Sequence, residues 1–272
     1  MSDAMNLPVL IYHHVSNNTG LITLSPYTFR AQMRWLAESG WKTVTAAEVE
    51  SFYLGGKLPR KSVMLTFDDG WLDNWSQVFP VLREFGLHAH IFLITGLIGD
   101  GPVRECVGDT PSHRECEEYI KQGMADNVML RWSEIREMRK SGLVEFHSHT
   151  HTHRRWDLMP GIGNLSELLR ADILLSRERM KEMLGSCSRH LCWPEGWYHP
   201  DYIRIADELG FTCLYTTERR MNTPQHGSRQ IGRISTKERE SSGWLKRRLF
   251  CYTTPIFSSL LALHKGPRLS WS

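Results

Sequence analysis

No stretch of this 272-residue chain reaches the roughly 18 apolar residues that a bilayer-spanning helix needs. The N-terminal MSDAMNLPVLIYHHV has neither the positive start nor the apolar run of a secretory signal, so a cytoplasmic chain is expected. Its six cysteines (106, 116, 187, 192, 213 and 251) form no CxxC pair. Reduced thiols are the expectation in that compartment, and Cys106 and Cys116 would pair only in an exported protein. Charge of one sign is also lacking. A formal net charge of +3 is too small to point to nucleic acid, and no such partner is expected. There is no internal repeat.

What is present is ordinary for a soluble domain with a substantial core: 41% hydrophobic and 23% charged residues. The ten Trp suit both core packing and stacking on sugar faces, so their number decides nothing. Val9–Tyr12 reads as a buried strand. Ser25 and Pro26 open a helix, with Phe29, Met33 and Leu36 at helical spacing, and Gly40 ends it. Residues 42–44 read as a strand, and Thr45 with Glu48 makes a capping box. Ser62–Phe67 is the clearest strand and runs into Asp68-Asp69-Gly70. A helix over 74–85 stops at Gly86, a strand follows over 88–94, and 99–127 reads as a polar inserted loop with one short helix. Ser133 caps a helix that Gly142 ends, and 143–146 leads as a strand into His147-Ser148-His149-Thr150-His151-Thr152-His153. Leu165–Leu184 is a long amphipathic helix. Strands over 191–193, 213–216 and 230–234, with a helix from Pro200 to Gly210, complete the pattern. This alternation predicts an α/β fold with a mainly parallel sheet, whose polar motifs lie at the carboxyl ends of strands.

Two features carry chemistry. Asp68-Asp69-Gly70 sets adjacent carboxylates at a strand end, where the glycine allows a sharp turn. One Asp can then meet a metal while the other stays free; the plain alternative is an Asp capping the next helix. In the histidine tract, alternate residues share a face in a strand and residues four apart share one in a helix, so two imidazoles converge either way. Two His and a carboxylate form a facial metal site with open positions, although a His tract can also be merely solvated. The two motifs together favour function.

TFDDG with SHTHTH resembles the first two motifs of the NodB-type polysaccharide deacetylases, the fourth carbohydrate esterase family, over roughly residues 7–236. The resemblance implies a distorted (β/α) barrel. It makes Asp68 the general base and Asp69, His149 and His153 the ligands of one divalent ion (zinc, with cobalt, nickel or iron(II) as alternatives). His147 and His151 are expected to support. The third family motif, Arg-x-Pro-Tyr-Gly, stands here as Cys192-Trp193-Pro194-Glu195-Gly196. The Glu195 N–H is the expected oxyanion donor and its side chain is left free for substrate, with Trp193 and Gly196 expected to bind substrate beside it. The arginine that normally orients the base is missing. Tyr12-His13-His14-Val15 resembles the branch acting on poly-β-1,6-linked N-acetylglucosamine, which is circularly permuted so that its last motif comes first. His13 is therefore the expected general acid, with His14 as the fallback, in preference to His264.

The resemblance thus implies an N-deacetylase acting on an N-acetylhexosamine in a glycan or glycolipid, such as a lipopolysaccharide core or another lipid-linked saccharide under assembly. An O-acetyl esterase or non-sugar amidase on the same fold, and an inactive sugar-binding protein, are the competing readings. The expected domain is 1–236. Residues 237–272 form a basic, aromatic tail whose Trp244, Lys246, Arg247, Arg248, Phe250, Tyr252 and Phe257 suit a membrane interface or a helix packed back on the domain. Pro255 would break any single long helix there. The interfacial reading puts the protein at the inner face of the cytoplasmic membrane.

Overall fold

Short apolar runs that end in polar residues become parallel strands here. The computed structural model describes residues 3–18, 20–105, 108–159, 164–236 and 241–254. In chain order they form β1 (Val9–Tyr12), β2 (His14–Val15), β3 (Thr23–Leu24), α1 (Pro26–Glu38), β4 (Lys42–Thr43), α2 (Ala46–Tyr53) and β5 (Ser62–Phe67). After a π-helical turn over Asn74–Val78 come α3 (Phe79–Phe85), β6 (Ala89–Leu93), α4 (His113–Lys121), α5 (Trp132–Lys140) and β7 (Val144–Ser148). The chain ends with α6 (Leu165–Leu184), β8 (His190–Cys192), α7 (Pro200–Glu208), β9 (Cys213–Tyr215), β10 (Ile234–Ser235) and α8 (Ser242–Thr253).

The main sheet runs β10-β1-β5-β6-β7-β8-β9, with β4 added to β5, and every ladder in it is parallel. Its two ends meet through residues 231–235. Ile231 bridges to Tyr215 of β9, and Ile234 pairs with Leu10 of β1. The sheet is thus curled into the distorted barrel that the resemblance implied. The strand expected over 230–234 is shortened to Ile234–Ser235 because the chain crosses between two neighbours there. Gly232 permits the step: a Cβ on it would stand 2.3 Å from Arg220 Cγ and 2.7 Å from the Glu218 carbonyl.

Strand alternation sorts the side chains. Val9, Met64, Phe92, Cys192, Cys213 and Tyr215 fill the barrel interior, while Leu10, Leu65, Ile91 and Phe146 face the surrounding helices. The expected caps form at two helices: Ser25 accepts from the Thr28 N–H, and Thr45 with Glu48 closes a capping box. Ser133 does not cap α5. The cap lies two residues earlier, at Arg131, and the buried Glu134 carboxylate accepts the Arg131 N–H (2.8 Å) while pairing with Arg104. The helix expected over 74–85 opens as a π turn because Pro80 has no N–H to continue the α ladder. α4 is the one short helix expected in the inserted loop, joined by a 3-10 turn at Ala125–Asn127.

The part of the tail that is described packs back on the domain. Leu245 and Leu249 of α8 are fully buried in the same core as Leu36 of α1, and Asn6 donates to the Tyr252 carbonyl (2.7 Å). No helix among the described residues is long and apolar enough to cross a membrane. The cysteines at 116, 187, 192, 213 and 251 are free thiols. Cys106, Pro255, Phe257 and His264 lie outside the described residues.

Candidate active site

The site begins where β5 ends. Met64, Thr66 and Asp68 point into the barrel, and Asp68 is 2% exposed. A lone carboxylate at that depth would cost several kcal/mol, by the general scale for buried ions. Its partner is Arg233, also buried, whose Nη1 and Nη2 fork onto Asp68 Oδ1 and Oδ2 at 2.7 and 2.8 Å. Burial pushes the Asp68 carboxyl up, but Arg233, then His149 and His13, outweigh it and hold it well below the usual carboxylate range. The arginine missing from the third motif is therefore replaced by one 165 positions beyond Asp68 in the chain, just before β10. Cys192, which stands in the motif arginine's place, packs its Sγ 3.0 Å from Arg233 Nη2.

Asp69 turns away from its neighbour through a left-handed backbone, with φ 73°. Its Oδ2 accepts the Trp71 Nε1–H at 2.9 Å, which leaves Oδ1 aimed at His149 Nε2 (3.5 Å) and His153 Nε2 (3.8 Å). The histidine tract is neither a continuous strand nor a helix here. It leaves β7 at His149 and turns through Thr150 (φ 64°), whose Oγ1 accepts the His153 N–H. Asp172 of α6 braces the turn by accepting the Thr152 N–H at 2.9 Å. His149 Nδ1–H donates to the Cys192 carbonyl at 2.8 Å, so its Nε2 carries the lone pair. Burial lowers the His149 imidazole to about 4 against the pull of Asp68. One donor atom each from Asp69, His149 and His153 lies within 4.8 Å of the others, and this set fits a divalent ion.

His13 and His14 diverge. His13 lines the same cleft, with Nε2 3.9 Å from Asp68 Oδ2, and its carbonyl accepts from Asn74 Nδ2 at 3.2 Å. Burial lowers its imidazole while Asp68 and Asp69 pull it up; the net direction is down. His14 points the opposite way, with Nδ1 2.6 Å from the buried Asp73 Oδ2 and Nε2 3.2 Å from His113 Nδ1. Adjacent strand residues face opposite sides, so only one of the pair can face Asp68.

Two expectations for the third motif are corrected. Trp193 does not touch the cleft: it is fully buried among Leu169, Ile173 and Tyr202, because the strand period that turns Cys192 inward turns Trp193 outward. The Glu195 side chain is not free for substrate either, since its Oε2 pairs with Arg155 Nη1 at 2.6 Å. Arg155 also holds Asp157 and stacks on Trp197. The Glu195 backbone remains available. Glu195 has φ 54°, no acceptor for its N–H is found among the described residues, and it lines the cleft with Gly196. Gly196 (φ 72°) touches Thr217 so closely that a Cβ would stand 2.3 Å from the Thr217 N. Gly196→Ala is expected to displace this turn and lower turnover more than ten-fold with little change in metal content, read by initial rates and metal analysis.

His151 bonds Thr95 Oγ1 (3.0 Å), and His147 lies deeper in the barrel. The non-glycine residues with positive φ among those described are Asp69, Thr150, His153 and Glu195, all at this site. Such conformations cost about 1–3 kcal/mol each, and packing around a functional site sustains them. The cleft holds about 420 Å³ and is walled on one side by His113, Glu117, Ile120 and Lys121 of α4, from the inserted loop. Sequence reasoning missed Arg233, Trp71, Arg155 and His113. Only Trp71, two residues beyond Asp69, carried a local signal.

Comparison with known proteins agrees with this geometry. The family described as "Polysaccharide deacetylase" matches residues 55–214. YxkH of Bacillus subtilis (strain 168) is 29% identical over 213 residues, covering 78% of this chain and 64% of YxkH. The poly-beta-1,6-N-acetyl-D-glucosamine N-deacetylase of Escherichia coli (strain K12) is 26% identical over 233 residues, 76% of this chain and 33% of that protein. The chain thus spans less than two thirds of these relatives' length. Among solved structures, IcaB from Ammonifex degensii superposes with a TM-score of 0.72 at 27% identity, over 92% of this chain and 98% of that one. The Streptococcus pyogenes deacetylase PplD in complex with acetate, at 20% identity and a TM-score of 0.73 over 90% and 99%, shares the fold.

Proposed function

The chain belongs to the polysaccharide deacetylase family, and from that membership we propose that it removes the acetyl group from an N-acetylhexosamine unit of a glycan by metal-assisted amide hydrolysis. One observation carries the proposal. A buried carboxylate held ionised by Arg233 stands beside a His-His-Asp donor set, with the His13 imidazole 3.9 Å from it in the same cleft.

Asp69, His149 and His153 would hold the ion, zinc being the choice for this nitrogen and oxygen set. Once bound, such an ion polarises an amide carbonyl and makes water more acidic. Asp68 takes the proton of the attacking water, its carboxylate plane fixed by the Arg233 fork. The Glu195 N–H, without an acceptor among the described residues, is available to the oxygen on which charge develops. His13, 3.9 Å from Asp68 Oδ2, is placed to pass that proton to the departing amine. His13→Ala is expected to lower turnover at least about 10²-fold, as for loss of a general acid. His14→Ala should act mainly on stability, by taking the imidazole from the buried Asp73 and leaving it only Asn74 and Thr110. The reverse ranking in a rate and thermal-melt comparison would move the acid to His14.

The polymer named in the E. coli relative supports a β-linked N-acetylglucosamine chain as substrate. A lipid-linked saccharide, with the protein at the inner face of the cytoplasmic membrane, draws support from a second groove of about 680 Å³ between α1 and α8. Trp35, Trp41 and Phe250 line it together with Arg60, Lys61, Lys246 and Arg247, as in surfaces that meet anionic headgroups. Arg60 and Lys61 precede β5 and Asp68 follows it. A bilayer met by this groove would therefore lie a strand length, about 20 Å, from the catalytic carboxylates. The sugar acted on would have to stand well above the lipid. Co-sedimentation with vesicles containing anionic lipid tests this: Lys246→Glu with Arg247→Glu should abolish pelleting, and equal pelleting would remove the membrane reading.

A further inference from the structure

The barrel end opposite Asp68 carries a second group of metal-ligating side chains that the reaction does not use. His90 at the start of β6, His88 just before it, and Glu145 at the start of β7 face one another. Glu145 Oε2 lies 3.4 Å from His90 Nδ1 and 3.7 Å from His88 Nε2. One donor atom from each falls within 4.8 Å of the other two. The donor types repeat those of Asp69, His149 and His153, and so do the spacings, 3.5 and 3.8 Å at the upper site.

The surroundings also correspond. His90 Nε2–H donates to the Val44 carbonyl at 2.7 Å, just as His149 Nδ1–H donates to Cys192, so the His90 lone pair sits on the Nδ1 that faces Glu145. Glu145 Oε2 is oriented by the Ala46 N–H (2.6 Å) at the start of α2. His147 Nε2 lies 2.9 Å from His90 Nδ1, and its own Nδ1 lies 2.7 Å from Ser188 Oγ. A hydroxyl donates or accepts, so His147 can carry its proton on either nitrogen. With the proton on Nδ1, it frees His90 and turns a further lone pair toward the same point. His88 Nδ1 is buried without a hydrogen-bond partner. A cavity of about 330 Å³, lined by Glu50, Glu145, His147 and Ser188 among others, reaches the cluster from solvent.

We propose that His88, His90 and Glu145, with His147 as the adjacent donor, form a second divalent-cation site of zinc type that ties β6, β7 and the start of α2 together. Its role is structural, since it lies at the end of the barrel away from the cleft, where side chains serve stability. The proposal stands whether or not the upper site deacetylates glycans. The test uses the full chain, stripped with chelator, reloaded with Zn²⁺ alone and desalted, with zinc per chain measured by mass spectrometry. The unaltered protein should hold two ions and Asp69→Ala one, and Asp69→Ala combined with Glu145→Gln or His88→Asn should hold none. Zinc should raise the melting temperature of Asp69→Ala and leave that of the combined variants unchanged. If Asp69→Ala retains no zinc, or if the combined variants retain as much as Asp69→Ala, the proposal is overturned. The first of these results needs no variant at the lower site, so a folding failure there leaves the test intact.

Discussion

Asp68→Asn is expected to lower acetate release by ~10²–10⁴, the usual worth of a general base, while metal content stays unchanged. The amide keeps the shape of the carboxylate and its one oxygen can still accept one of the two Arg233 N–H groups, but it cannot take a proton at neutral pH. Asp69→Ala should behave differently, losing metal retention and turnover together, because Asp69 Oδ1 is the carboxylate donor between His149 and His153. Adjacent in sequence, the two side chains are separated in direction by the left-handed turn at Asp69, which sends one to Arg233 and the other to the imidazoles. Initial rates and metal analysis on both variants check the division. Near-normal acetate release from Asp68→Asn would place the base elsewhere.

Arg233→Met is expected to destabilise the protein by about 3–5 kcal/mol at neutral pH, as when one partner of a buried ion pair is removed. Asp68 and Arg233 are both almost inaccessible, so the abandoned carboxylate would have neither water nor a cation on that side. The pH dependence has a definite sign. In the unaltered protein the Asp68 pKa is depressed on folding, so its contribution is present above the ordinary carboxylate pKa and is lost as pH falls through the folded value. Without Arg233 the folded pKa rises instead, and protonation relieves the variant as pH falls. The stability gap should therefore be widest at neutral pH, begin to narrow above the ordinary carboxylate pKa of about 4 as the variant protonates, and narrow further below it as the unaltered protein loses its own contribution. Arg233→Lys should recover part of the stability and less of the rate, because an ammonium restores charge but not the planar two-point fork. Chemical denaturation across pH measures the first effect, and turnover of the Lys variant measures the second.

Much of this could be read in the chain because its signals are local. Ser62–Phe67 is a six-residue, mostly apolar run, and the caps at Ser25 and Thr45 lie within four residues of their partners. The Asp68, Asp69, His149 and His153 set was visible as two motifs at strand ends. What stayed hidden was tertiary. Arg233 sits in an unremarkable stretch, and nothing near it signals that the chain crosses from β9 to β1 there and delivers a guanidinium to Asp68. The Glu195 side chain looks free in the sequence because nothing at Arg155, 40 residues away, signals that the two meet. Trp193 is a different case. Counting alternate positions from His190 would have turned Cys192 inward and Trp193 outward, so that error came from following the motif's spacing before the strand's period.

The central claim, that these residues cleave an amide on a sugar, is tested most directly on the zinc-loaded full chain with a β-1,6-linked N-acetylglucosamine oligomer. Mass spectrometry should show stepwise loss of acetyl groups, with one free amine for each acetate released and none from Asp68→Asn. Acetate released only from O-acetyl esters, or oligomer bound by the zinc-loaded protein with every acetyl group retained, would contradict it.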